Sequence, residues 1–207
     1  MLPTLLQSQA LKSAAKQLSD AHAEVWDVAL FGSTARGKSD ARDADVAVLL
    51  SVPCAAGKKL SLAQELKERL EEALPSLTPD VKAVDLGDIL DEQFLARQGI
   101  IAESYLLLRK KHLAALLGFR TFAHITYSLQ GLTASQKKML YYALQGRRGS
   151  AGVLRDAGGA LVSRQLLKVP IESSAAIEEL LRLHHVAFTV EFAMEYGKRG
   201  SLEGGRA

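Results

Sequence analysis

Apolar side chains recur at two different periods along the chain, and the switches between them mark its elements. Leu2, Leu5, Leu6, Ala10, Ala14 and Leu18 fall at helical spacing, which predicts an amphipathic helix over 3–20. Residues 25–31 are short, β-branched and aromatic and end at a glycine, the pattern of a strand. Residues 43–50 alternate and then become wholly apolar, a second strand; Pro53 and Gly57 mark the loop that follows. Leucines at 60, 62, 66, 70 and 74 predict a helix with one buried face, stopped by Pro75. Pro79 precedes a third strand at 81–86, a short helix is expected over 88–98, and 100–108 fits either a strand or the start of a helix running to 117.

Gly118 marks a boundary, after which the pattern restarts. A strand is predicted at 119–129, then a helix at 133–145 opened by Thr133 with Gln136 three residues on, the sequence of a capping box. Residues 146–149 break it. A short helix over 150–157, a strand over 161–169, a helix from Ser173 or Ser174 to His184 and a strand over 186–192 complete the pattern. The glycine-rich, basic stretch 197–207 reads as a disordered tail. The organisation expected is an α/β unit over 1–117 and a smaller α+β unit over 118–196.

Charge sharpens this division. Residues 1–108 hold 11 Lys/Arg against 16 Asp/Glu, a net of −5, whereas 109–207 hold 15 against 7, a net of +8. A basic second half suits an anionic partner, either nucleic acid or an acidic protein, and equally a solvated basic surface. Within it, Tyr127, Lys137, Lys138, Tyr141, Tyr142, Arg147 and Arg148 mix cations with aromatic rings, the composition of a nucleic-acid surface. The apolar Met139, Leu140, Ala143 and Leu144 in the same stretch fit a core helix instead. The single cysteine, Cys54, excludes an intrachain disulfide framework and a Cys-based zinc cluster, reads as packing, and fits a reduced, cytoplasmic protein. No apolar run approaches the roughly 20 residues needed to span a bilayer. Residues 1–12 lack the features of a signal peptide. His184-His185 close a helix, where the dipole favours them, and lack neighbouring metal ligands. His124 is given no role.

The chemistry concentrates in Val28-Ala29-Leu30-Phe31-Gly32-Ser33-Thr34-Ala35-Arg36-Gly37 and Asp43-Ala44-Asp45-Val46-Ala47-Val48-Leu49-Leu50. A strand ending at Gly32 permits a tight turn and close backbone approach. Ser33 then begins a helical turn whose backbone N–H groups suit an anion. Arg36, one turn on, adds a donor for phosphate. Asp43 and Asp45 are two apart on a strand, so both carboxylates share one face. Such a pair suits Mg²⁺, a hard ion that takes carboxylate and phosphate oxygens. The parts together suit phosphoryl transfer.

These residues resemble the minimal nucleotidyltransferase family of the DNA-polymerase-β-like superfamily. The resemblance covers about 22–108, and its specificity lies in 28–50, where Gly-Ser, Ala-Arg-Gly and Asp-x-Asp stand between two apolar strands. It implies a mixed-sheet nucleotidyltransferase fold with helices on one side, an NTP (ATP foremost) as donor, and an acceptor hydroxyl on RNA, a small molecule or a protein. It implies Gly32, Ser33 and Arg36 at the nucleotide, and Asp43 and Asp45 as catalytic ligands of Mg²⁺. Some relatives are antitoxins that modify a partner toxin.

Two departures stand out. The stretch from Ser33 to Asp43 is one residue shorter than the family's, and Arg42 replaces its usual serine. The third carboxylate of the family would fall where Lys82 stands, in Val81-Lys82-Ala83-Val84-Asp85-Leu86. Asp85 or Asp80 therefore completes the site as a third catalytic residue, or the fold is retained as a binding module with a degenerate site. On a regular strand Asp85 faces the opposite side from Lys82, whereas Asp80 shares its parity.

Overall fold

The computed structural model describes residues 4–38, 43–147 and 150–196. Arg42, Arg148 and the predicted tail at 197–207 lie outside the described residues. The first helix is interrupted: α1 (Thr4–Gln7) is followed by α2 (Gln9–Ala21). The break falls at Ser8, whose Oγ accepts from the Leu11 N–H at 3.4 Å and so caps α2. Leu11, Ala14, Ala15 and Leu18 form its buried face.

Next come β1 (Val25–Phe31), the single turn α3 (Gly32–Ala35), β2 (Asp43–Leu50), α4 (Ala56–Ala73) and β3 (Thr78–Val84). Both β1 and β2 match the predicted bounds. Helix α4 buries Leu62, Ala63, Leu66 and Leu70, while Leu60 stays exposed. β3 starts earlier than its sequence suggests and includes Pro79. This is allowed because β3 is an edge strand, where a missing N–H breaks no ladder.

The helix expected over 88–98 is instead two, α5 (Leu86–Leu90) and α6 (Arg97–Glu103). Asp91 divides them: its side chain accepts from the Gln93 N–H at 2.9 Å, a local turn that competes with the helix. Gly99, just beyond the expected end at 98, lies inside α6. The ambiguous stretch after it resolves into β4 (Tyr105–Leu106), β5 (Lys111–His112) and α7 (Leu113–Leu116).

These strands form a five-stranded mixed sheet in the order β3-β2-β1-β4-β5, in which only β2 and β3 run parallel. The fold is α/β. Alternation along β1 and β2 sends Val28, Leu30, Ala44, Val46 and Val48 to one face, against α2 and α4. Ala29, Phe31, Ala47 and Leu49 go to the other, where they meet Ile100 of α6 with Ile89, Phe94 and Leu113. The expectation of helices on one side is thereby corrected. The second face is also covered, by short helices, but only over part of its length.

Gly118, at φ +83, closes α7. Beyond it lie β6 (Phe119–Tyr127), α8 (Ala134–Gln145), the small ladder β7 (Gly146–Arg147) with β8 (Ser150–Ala151), α9 (Val153–Asp156), β9 (Ala160–Ser163), β10 (Leu166–Pro170), a 3₁₀ turn (Ile171–Ser173), α10 (Ser174–Leu183) and β11 (Phe188–Tyr196). The single strand expected over 161–169 is a hairpin, and the last strand runs four residues further than expected. An antiparallel sheet, β11-β6-β10-β9, buries Ala123, Ile125, Leu167 and Val169 against Leu140 and Leu144 of α8 and Ile177 and Leu181 of α10. Thr133 and Gln136 form the reciprocal capping box expected of them. No helix among the described residues is long and apolar enough to cross a membrane.

Candidate active site

The site is built where β1 ends. Phe31 lies opposite Asp45 in the antiparallel register, so the turn after Phe31 passes over the Asp45 side chain. Gly32 takes φ +70, which a residue with a Cβ rarely adopts. A Cβ there would fall 2.2 Å from Asp45 Oδ2. Gly32 is thus required twice, by its backbone angle and by the carboxylate against it. Thr34 Oγ1 donates to the Asp43 carbonyl at 3.1 Å and pins the start of β2 to α3.

Asp43 and Asp45 share one face of β2, Asp43 exposed and Asp45 half-buried. The parallel register places Asp80 beside Asp45 and Lys82 beside Ala47, all on that face. Lys82 Nζ is ion-paired with Asp80. Burial, and then the charge of Asp80, push the Asp45 carboxyl above its ordinary range; Lys82 and Arg36 pull it down, and Asp43 adds to the rise. Two carboxylates with substrate phosphates suffice for Mg²⁺, which keeps several of its waters. Burial together with the neighbouring carboxylates, which raise the Asp45 carboxyl, is a setting a cation relieves. The residues present therefore fit the ion as a pair. No group of three His, Cys, Asp or Glu among the described residues is arranged to hold a metal.

The structure corrects Asp85. It falls just beyond β3, at the parity of Val81 and Ala83, which pack on the α2–α4 side. There it caps α5: Asp85 Oδ1 accepts from the Asp88 N–H, and the Asp88 side chain answers by accepting from the Asp85 N–H. Its other oxygen accepts from the Cys54 N–H at 3.2 Å and meets Lys59 Nζ at 2.8 Å. Lys59 foremost, with these N–H donors, lowers the Asp85 carboxyl to about 2. Asp85 therefore holds the fold and is not brought to Asp43 and Asp45. A folded-state value below the unfolded one gives stability that is present above about pH 4 and lost as pH falls through about 2. Urea denaturation of the wild type and Asp85→Asn is expected to differ by about 2 kcal/mol at neutral pH and to converge towards pH 2. A gap that persists at pH 2 would contradict this role.

Arg36 is already engaged. Its Nη1 donates to Glu103 Oε2 at 2.6 Å, and its guanidinium lies over the Phe192 ring, 5.3 Å from the centroid. Sequence reading missed Glu103, a buried acid inside an apolar stretch. Gly37, at φ +98, lets the chain pass the 3₁₀ turn, since a Cβ would lie 2.7 Å from the Glu172 carbonyl oxygen. The Ala175 N–H donates to the Arg36 carbonyl at 3.3 Å. Ala-Arg-Gly thus ties the two sheets together as well as flanking the turn. Beside Ser33 opens a cleft of about 720 Å³ between Ser33, Arg36 and Lys38 on one wall and α10 on the other.

The mixed cationic and aromatic stretch in the second half divides. Tyr127 is buried, its hydroxyl donating to the Arg164 carbonyl at 3.1 Å, so it belongs to the core and not to a nucleic-acid surface. Tyr141 is exposed, and Tyr142 carries Lys138 and Arg147 over its ring.

No protein-family model and no curated protein matches the chain. Among solved structures it is similar to a chain of a complex described as a tri-AMPylated Shewanella oneidensis HEPN toxin with MNT antitoxin. The identity is 24% over 48% of this chain and 70% of that one, with a TM-score of 0.33.

Proposed function

We propose that this protein transfers a nucleoside monophosphate from an NTP, ATP foremost, to an acceptor hydroxyl and releases pyrophosphate. The observation that carries the reading is the pair Asp43 and Asp45 on one strand face with the Gly32 turn seated directly against Asp45. Asp43 and Asp45 are the residues that would hold Mg²⁺, whose contribution when bound is to neutralise phosphate oxygens. Gly32 and Ser33 present backbone to the phosphates, and Arg36, anchored by Glu103, adds guanidinium donors. The acceptor oxygen bonds to the α-phosphorus as the bond from that phosphorus to the bridging oxygen breaks. The hydroxyl proton leaves to a nearby base or to water. The basic residues 109–207 favour a macromolecular acceptor, nucleic acid or protein.

One observation favours a second reading. Lys82 engages Asp80, the carboxylate in register with Asp45, and so neutralises the remaining acid that could complete the site. A protein with this arrangement would bind nucleic acid or a partner protein without transfer. ATP labelled at the α-phosphate, supplied with Mg²⁺ and in turn with total RNA and with a protein extract, separates the two. Transfer predicts label on one acceptor with the wild type and none with Asp43→Asn/Asp45→Asn. Absence of label from every acceptor supports the second reading.

A further inference from the structure

We propose that the cleft between α3 and α10 receives the polyphosphate tail of the nucleotide, and that Arg182 is a positioning residue for the departing pyrophosphate. The inference rests on the nucleotide reading above. The cleft, about 720 Å³, has the size of a small-ligand pocket, for which roughly 300–1,000 Å³ is usual. It opens beside Ser33, at the turn that follows β1. Three cations line it: Arg36 and Lys38 from the first sheet's side and Arg182 from α10. Ala175 and Ala176 leave room for a ligand on the far wall, and Glu178 and Glu179, the partners of Arg182, complete it. No aromatic ring is among the lining residues, so the cleft offers nothing for a base to stack upon, but it offers donors to an anion.

Arg36 stays with Glu103, which leaves Arg182 and Lys38 as the cations a ligand would recruit. Arg182 donates to Glu178 at 2.8 Å and to Glu179 at 3.3 Å, both along its own helix and partly in water. The guanidinium also lies over the Phe188 ring, 5.5 Å from its centroid. Its contact with the exposed Glu179 is of the weak, solvent-screened kind, so a polyanion competes there most readily. Lys38 makes no ion pair among the described residues. The Ala175–Arg36 hydrogen bond and the Phe192 ring over Arg36 join the two walls. The second sheet would thereby supply a guanidinium to a site whose carboxylates come from the first.

Calorimetric titration with ATP, AMP and inorganic pyrophosphate, each with Mg²⁺, tests this on the wild type, Arg182→Gln and Ala176→Trp. Both positions are exposed, so neither variant threatens the fold. Arg182→Gln is expected to weaken ATP and pyrophosphate by about tenfold and to leave AMP unchanged. Ala176→Trp, which fills the cleft, is expected to weaken the same two ligands. ATP and pyrophosphate affinities equal in all three proteins would overturn the inference and leave the nucleotide reading standing. AMP weakened as much as ATP would also overturn it. A wild type that binds neither ATP nor pyrophosphate would overturn both.

Discussion

Asp43→Asn combined with Asp45→Asn is expected to lower nucleotidyl transfer on the order of a thousandfold or more, while the protein without Mg²⁺ unfolds at the same or a higher temperature. The loss follows from removing the two charges that would hold the ion, whose stabilisation of phosphoryl charge amounts to several kcal/mol. The stability arm follows from the electrostatics of the empty pair. Burial and Asp80 raise the Asp45 carboxyl, so the folded chain binds that proton more tightly than the unfolded chain does. At neutral pH the Asp45 charge therefore works against folding, and a neutral amide of the same shape relieves it. Scanning calorimetry with and without Mg²⁺, alongside the transfer assay, reads both arms. A double variant that melts well below the wild type would show that the carboxylates are structural, since transfer would then be lost with the fold.

The largest effect on stability is expected at Asp27. This carboxylate is fully buried. It accepts from the N–H groups of Val28 at 2.8 Å, Leu108 at 3.0 Å and Arg109 at 3.3 Å, and from Arg109 Nη1 at 3.0 Å. Arg109 in turn lies 3.9 Å from the Trp26 ring centroid and donates to the Trp26 carbonyl. Asp27 thus ties the start of β1 to the segment after β4. Asp27→Ala strips backbone donors of their acceptor and leaves Arg109 without its counter-ion. A cost of about 3–5 kcal/mol is expected in urea denaturation. Asp27→Asn, which keeps an acceptor, is expected to cost less. A loss below about 1 kcal/mol for the alanine variant would contradict the role.

The strands that carry the site were legible because each is bounded by residues with one physical meaning. Gly32 ends β1, and the switch from alternating to apolar at Asp43 opens β2. Period two was enough to put Asp43 and Asp45 on one face; the same parity spoke against Asp85, which was nevertheless expected as a third catalytic residue and instead caps α5. What the sequence withheld was register. That Asp80 lies beside Asp45 is a fact of parallel pairing between β2 and β3, which no local pattern encodes. The joining of Arg36 to Glu103 spans 67 positions and depends on tertiary packing. Asp27 was overlooked because one acid between Trp26 and Val28 does not disturb the apolar pattern of a strand. Local turns also split what periodicity joined, at Asp91 in the first unit and in the β9–β10 hairpin of the second.

The most direct test of the central claim is a crystal grown with Mn²⁺ in place of Mg²⁺ and a non-hydrolysable ATP analogue, with the metal located by its anomalous scattering. The account predicts a peak within coordination distance of both Asp43 and Asp45, with the analogue's phosphates reaching the Gly32–Ser33 turn. A peak held by other residues, or phosphates bound away from that turn, would contradict it.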